Sequence, residues 1–223
     1  MMKRKEIFFP SSDGRSRIFS VRWIPEQKPV GLVQIAHGMG EHSMRYERFA
    51  KFLTERGYLV FANDHIGHGR SVGEEGTAMY LGEEQGWKHV ADDMRKLQIM
   101  TRKEYPGLPC YLIGFSMGSF LTRTFLIRFP GTVDAAVIIG TGWQSRRMLG
   151  PGRLLMKYIA KLAGPDKVKP AIAKLSFGAY NKYLIGRRRS VCNFPRGDYS
   201  GLSPFLDCMI GKKNKHDSIY ELI

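Results

Sequence analysis

Apolar runs of strand length alternate with helix-period segments along residues 1–143. Residues 7–10 and 15–23 carry β-branched and aromatic side chains around a turn at Ser12-Asp13-Gly14. Residues 30–36 (VGLVQIA) form an apolar run that stops at His37-Gly38, the pattern of a strand buried on both faces. Tyr46, Phe49, Ala50 and Leu53 then recur at i, i+3, i+4 and i+7 on one helix face, and Gly57 supplies the stop. Residues 58–62 (YLVFA) read as a second buried strand, and residues 64–76 as a loop rich in Gly and His. Trp87, Val90, Ala91, Met94 and Leu97 share one face of a further helix that ends near Tyr105-Pro106-Gly107. A strand over 110–113, a helix over 117–128 and a strand over 133–139 complete the series. Helices alternating with buried strands predict an α/β fold: a mainly parallel sheet with helices on both faces.

The texture changes at residue 143. Residues 146–162 and 168–183 are basic amphipathic stretches, and no β-branched strand run follows Ile139. Charge sharpens this boundary. The 223-residue chain carries a net charge of +15. Residues 1–143 hold 19 basic and 15 acidic side chains, net +4; residues 144–183 hold 9 and 1, net +8; residues 184–223 hold 7 and 4, net +3. The excess belongs to the second part, where aromatic interleaving is sparse (Tyr158, Phe177, Tyr180, Tyr183) and no recognition motif stands, so no nucleic acid is expected as a partner. Cys110, Cys192 and Cys208 make neither a disulfide framework nor a metal spacing. No apolar run approaches the ~20 residues of a membrane span, and the basic N-terminus lacks the ~7 apolar residues of a secretory signal. A cytoplasmic location is the expectation.

Gly114-Phe115-Ser116-Met117-Gly118 fits G-x-S-x-G between a strand and a helix, the context that this motif requires. Small residues allow a sharp turn that lifts the Ser116 hydroxyl to the carboxyl end of the sheet. The backbone N–H of Met117 then faces a developing oxyanion. His37-Gly38-Met39-Gly40-Glu41-His42 follows the first buried strand, where a Gly-bracketed turn can offer the N–H of Met39 to the same oxyanion. His37 and His42 lack a carboxylate or Cys at ligand spacing, so His37 reads as a loop anchor. Asp64-His65-Ile66-Gly67-His68-Gly69-Arg70-Ser71 reads as a tight structural loop beside the pocket. No metal or cofactor is expected.

These three motifs, with Tyr46 and Asp92, resemble the α/β-hydrolase superfamily, in the branch of monoacylglycerol lipases, lysophospholipases and serine aminopeptidase-like hydrolases. The resemblance covers about residues 5–143. It implies a core over 1–142, a helical cap over 143–183 and an atypical tail over 184–223. It also implies Ser116 as nucleophile, Met39 and Met117 as oxyanion donors, and a small-molecule acyl ester or lipid, monoacylglycerol or lysophospholipid, as substrate. The basic stretch 146–162 suits a cap helix and also transient contact with an anionic membrane surface.

A serine nucleophile needs a histidine base, which in turn needs an acid to orient it, in the chain order Ser, Asp/Glu, His. In this superfamily both follow two further strands beyond the cap. The tail offers Asp198, Asp207, Asp217 and His216, none in a motif of the family. The expectation is therefore a member cut short, its last sheet strands missing, and inactive unless His216 folds back. The alternatives are a non-catalytic lipid-binding remnant or a basic membrane-surface binder.

Overall fold

The computed structural model describes residues 2–73, 78, 81, 85–142 and 150. The expected tail and His216 lie outside the described residues, as does the expected cap apart from Gly150.

Six strands form one sheet in the order β1-β2-β4-β3-β5-β6. They are β1 (Lys3–Pro10), β2 (Arg17–Ile24), β3 (Gly31–Ala36), β4 (Tyr58–Asn63), β5 (Cys110–Phe115) and β6 (Ala135–Ile139). The helices are α1 (Glu47–Thr54), α2 (Gly86–Glu104) and α3 (Met117–Arg128). β4, β3, β5 and β6 run parallel, while β1 and β2 pair antiparallel at one side. The mainly parallel α/β fold is thus the one that the hydrophobic pattern predicts.

The sheet is apolar where it is covered. Every residue of β3 is buried, as are five of the six in β4, which requires cover on both faces. On one face, Leu32, Leu59, Phe61 and Leu112 pack with Val90, Met94 and Leu97 of α2 and Leu121 and Phe125 of α3. Gln34 sits among them, and its Nε2 donates to the Met94 carbonyl at 2.8 Å. Burying such an amide without partners would cost a few kcal/mol, so the bond makes its position tolerable. The ion pair Arg128–Asp92 (2.9 Å) ties α3 to α2.

Strand ends differ from the sequence pattern for local reasons. β1 begins at Lys3, four residues earlier than its apolar run, because antiparallel pairing with buried β2 carries the charged residues Lys3 to Glu6 into the sheet edge. β2 begins at Arg17, since the Asp13 carboxylate captures the N–H groups of Arg15 and Ser16, each at 2.8 Å, and holds them in the turn. β6 is pinned at its start by Asp134, whose N–H donates to the Cys110 carbonyl and whose carboxylate accepts the Cys110 N–H.

Two glycines let α3 approach the sheet. A Cβ on Gly118 would overlap the carbonyl oxygen of Ala36 and lie 2.7 Å from that of His37; one on Gly114 would overlap Thr122 Oγ1. Gly118→Ala is expected to destabilise the fold by about 1–3 kcal/mol through overpacking. Gly131→Ala, in open space at φ +69°, is expected to cost about 1–2 kcal/mol of backbone strain alone. Urea midpoints would check both; in addition, only Gly118→Ala should lower the exchange protection of amides in β3 and α3.

Candidate active site

The parallel strands β3, β4 and β5 deliver three loops to one edge of the sheet, since Ala36 registers with Gly114 and Ile35 with Ala62. In open α/β sheets this carboxyl edge is where ligands bind. Ser116, loop 37–42 and loop 64–71 all leave from it.

Ser116 is the residue between β5 and α3, at φ +51°, ψ −115°. Positive φ in a residue with a side chain is strained by roughly 1–3 kcal/mol and persists only where its surroundings enforce it. Here the Ser116 N–H donates to the Ile139 carbonyl at 2.9 Å, which ties the turn to β6. On the other side, the Ser119 hydroxyl and N–H donate to the Ser116 carbonyl at 2.5 and 2.9 Å. Ser116 is half-buried. No described residue hydrogen-bonds its hydroxyl. Met117 is the first helical residue, so its N–H has no partner within the helix.

Loop 37–42 lies against this turn: a Cβ on Gly38 would sit 3.3 Å from the Ser116 Cβ. The Gly38 N–H donates to Glu41 Oε1, which also accepts the Tyr46 hydroxyl at 2.8 Å. Arg45 lies 3.7 Å from Glu41 Oε2. Burial pushes the Glu41 carboxyl upward, against the pull of these bonds, and burial beside Glu41 raises the Tyr46 hydroxyl well above its ordinary value. Among the described residues, the Met39 N–H meets no acceptor, and its side chain is exposed. The structure therefore brings Ser116 together with the loop of Met39, and leaves the N–H groups of Met39 and Met117 without protein partners among the described residues.

Loop 64–71 is organised by Asp64, a role that spacing alone does not reveal. Its Oδ1 accepts the Ser43 N–H (2.7 Å) and hydroxyl (2.5 Å), and its Oδ2 accepts the Arg70 N–H (2.8 Å). Asp64 thus fastens the two loops to each other. A Cβ on Gly69 would occupy the Asp64 carboxylate, which explains that glycine. His37 adds a second fastening: its Nε2 accepts the His65 N–H at 2.9 Å, which leaves Nδ1 to donate to the Gly38 carbonyl at 2.7 Å. That pair of bonds fixes the neutral Nδ1–H tautomer. The rings of His65 and His68 lie 4.0 and 5.3 Å from that of His37. Burial, reinforced by the neighbouring rings, holds His37 well below the ordinary imidazole range and pushes His65 down to about 3. Among the described residues no group of three or more His, Cys, Asp or Glu is placed to hold a metal ion.

The model of the family described as "Serine aminopeptidase, S33" matches residues 27–181. A monoacylglycerol lipase of Mycolicibacterium smegmatis is 32% identical over 169 residues, 76% of this chain and 56% of that protein. The monoglyceride lipase of Homo sapiens is 38% identical over 129 residues, 58% of this chain and 40% of that protein. The chain thus spans about half the length of these relatives. Among solved structures, a thermostable carboxyl esterase from Bacillus coagulans in complex with glycerol superposes with a TM-score of 0.64 at 29% identity, covering 72% of this chain and 51% of that one.

The histidine stack makes stability depend on pH. Unfolded His65 takes up a proton near pH 6.5, while the folded residue resists protonation down to about 3. Its contribution is complete above pH 6.5 and is lost at about 1.4 kcal/mol per pH unit below it. Glu41 and Asp93, whose buried carboxyls are raised, act in the opposite direction, so the variant isolates the effect. Between pH 7 and 5 the urea midpoint of His65→Gln should fall less steeply than that of the parent, by about one proton's worth of slope.

Proposed function

Because the chain belongs to the serine aminopeptidase S33 family, we propose that it is a serine hydrolase of carboxylic esters, working through an acyl-enzyme on Ser116. The observation that carries this reading is the strained strand–helix turn, a nucleophile elbow in form. It sets Ser116 at the carboxyl edge of the sheet against Gly38, and among the described residues the N–H groups of Met39 and Met117 have no protein acceptor. In the reaction, Ser116 Oγ attacks the ester carbonyl and passes its proton to a base. The tetrahedral oxyanion accepts hydrogen bonds from the Met39 and Met117 N–H groups. Collapse breaks the bond to the alcohol, which leaves with that proton, and water then releases the acid by the same route.

The substrate in this reading is a single-chain acyl lipid: monoacylglycerol, which the names of the relatives support, or lysophospholipid, which has the same single acyl chain. Residues 143–183 serve in this reading as a cap over the acyl chain. The basic face of 146–162 makes transient contact with an anionic membrane surface. Such an enzyme works in the cytoplasm, without metal or cofactor.

The base is the demanding part. Five of the six histidines, His37, His42, His65, His68 and His89, are among the described residues, and none hydrogen-bonds Ser116. His216 is the remaining candidate within this chain. The same observation favours a second reading, a protein that binds the acyl lipid without turnover.

Labelling with a fluorophosphonate probe separates the two. The hydrolase is expected to label on Ser116 and to lose roughly 10⁴–10⁶ of its turnover in Ser116→Ala. His216→Ala is expected to match that loss if His216 is the base. A folded chain that monoacylglycerol stabilises against heat, with no labelling and no change in Ser116→Ala, would establish the binding reading instead.

A further inference from the structure

Loop 37–42 lies against the Ser116 turn at Gly38 and carries two adjacent backbone donors, those of Gly38 and Met39, of which an oxyanion needs one. What separates the two is Glu41. Its carboxylate is buried, with 4% of the residue exposed, and it takes the Gly38 N–H and the Tyr46 hydroxyl on a single oxygen, Oε1. Gly38 is enclosed between this carboxylate and the nucleophile turn. A Cβ there would meet Glu41 Oε1 at 2.8 Å on one side and the Ser116 Cβ at 3.3 Å on the other. The Gly38 carbonyl accepts from His37 Nδ1 at 2.7 Å, and His37 Nε2 in turn accepts the His65 N–H at 2.9 Å, which ties this end of the loop to loop 64–71. Both polar groups of Gly38 are therefore engaged inside the protein, while the next N–H along the chain is left over.

We infer that Glu41 is a positioning residue that captures the Gly38 N–H and thereby makes the Met39 N–H the loop's free donor toward Ser116. Glu41 does not touch the reacting atoms in this arrangement. It acts through the peptide that it holds, and Tyr46 and the buried guanidinium of Arg45 hold Glu41 in turn. A carboxylate suits the task better than a backbone carbonyl. It accepts two bonds on one oxygen, and Arg45 offsets its charge, which would otherwise oppose the oxyanion. The inference rests on Ser116 as nucleophile, but the state of the loop can be measured without it.

The test uses the full chain and two substitutions, Glu41→Ala and Glu41→Gln. Residue-resolved amide exchange reads the loop directly. In the parent, the Gly38 amide should be protected and that of Met39 should exchange freely. Glu41→Ala should lower Gly38 protection by roughly 10- to 100-fold, the effect of one lost hydrogen bond to a charged group, while Ile35 and Leu112 in the sheet keep theirs. Fluorophosphonate labelling reads the consequence. Glu41→Ala should slow labelling at saturating probe by roughly 10²–10³-fold, the loss of one oxyanion donor, with the half-saturating probe concentration unchanged within threefold. Glu41→Gln, which keeps an acceptor oxygen, should recover most of that loss. Unprotected Gly38 in the parent, or protection that survives Glu41→Ala, would overturn the inference. So would labelling of Glu41→Ala at the parent rate. If Glu41→Ala does not fold, Tyr46→Phe replaces it and should lower Gly38 protection by a smaller factor. A parent that never labels removes the hydrolase reading alone, and the exchange result still decides the role of Glu41.

Discussion

The whole site hangs on a steric constraint: α3 starts so close to the end of β3 that position 118 has no room for a side chain. The helix N-terminus can reach the sheet edge only because Gly114 and Gly118 leave their Cβ positions empty. That approach forces the chain to reverse within one residue, and the residue at the reversal is Ser116, at positive φ. The strain is held by bonds on both sides, from the Ser116 N–H to β6 and from Ser119 to the Ser116 carbonyl. Stored strain of this kind keeps a hydroxyl out of the packing that surrounds it and leaves the first helical N–H beside it.

Around this turn the loops are built from side chains in place of a hydrogen-bonded ladder. Backbone at a sheet's carboxyl edge has lost its strand partners, and its polar groups must be satisfied locally if they are buried. Asp64 does this for Ser43 and Arg70, Glu41 for Gly38, and His37 for His65 and Gly38. The bonds Asp64–Ser43 and His37–His65 cross between the two segments, while Asp64–Arg70, Glu41–Gly38 and His37–Gly38 brace each loop internally. The choice of neutral imidazole at His37 and His65 follows. With the rings of His65 and His68 at 4.0 and 5.3 Å from that of His37, the three cannot all be charged inside the protein, and burial disfavours the charge on each.

The order of elements was legible because buried parallel strands such as 30–36 and 58–62 carry their own hydrophobic signature and helices such as α2 carry theirs. The turn at Ser116 was legible from a motif that stands between a strand and a helix, and the loop of Met39 from the glycines that bracket it. The polar clamps were not. Nothing in the letters of HGMGEH distinguishes a Glu that faces solvent from one that folds back on the N–H three residues before it. That difference is made by Tyr46 and Arg45, which the 3-10 turn Ser43–Tyr46 brings within reach of it. The start of β1 was missed for a related reason: Lys3 to Glu6 have no strand pattern of their own and are drawn into the sheet by their partner.

The same logic accounts for a buried carboxylate close to the Ser116 turn, where the proposed reaction would develop negative charge. A lone anion there would work against an oxyanion, and burying it unpaired would be costly. Glu41 is instead surrounded by a guanidinium, a hydroxyl and an N–H, so the field that it exerts on its surroundings is that of a compensated cluster. The donor that remains open, on Met39, belongs to the peptide next in line, whose direction is set by how Gly38 is held. A network of this kind rigidifies only when it is fully satisfied. That requirement links Tyr46, which bonds the Glu41 carboxylate, to the peptide of Gly38 that the same oxygen holds. In the proposed hydrolase, control of the oxyanion position therefore extends to the packing of the loop and is not confined to the G-x-S-x-G turn.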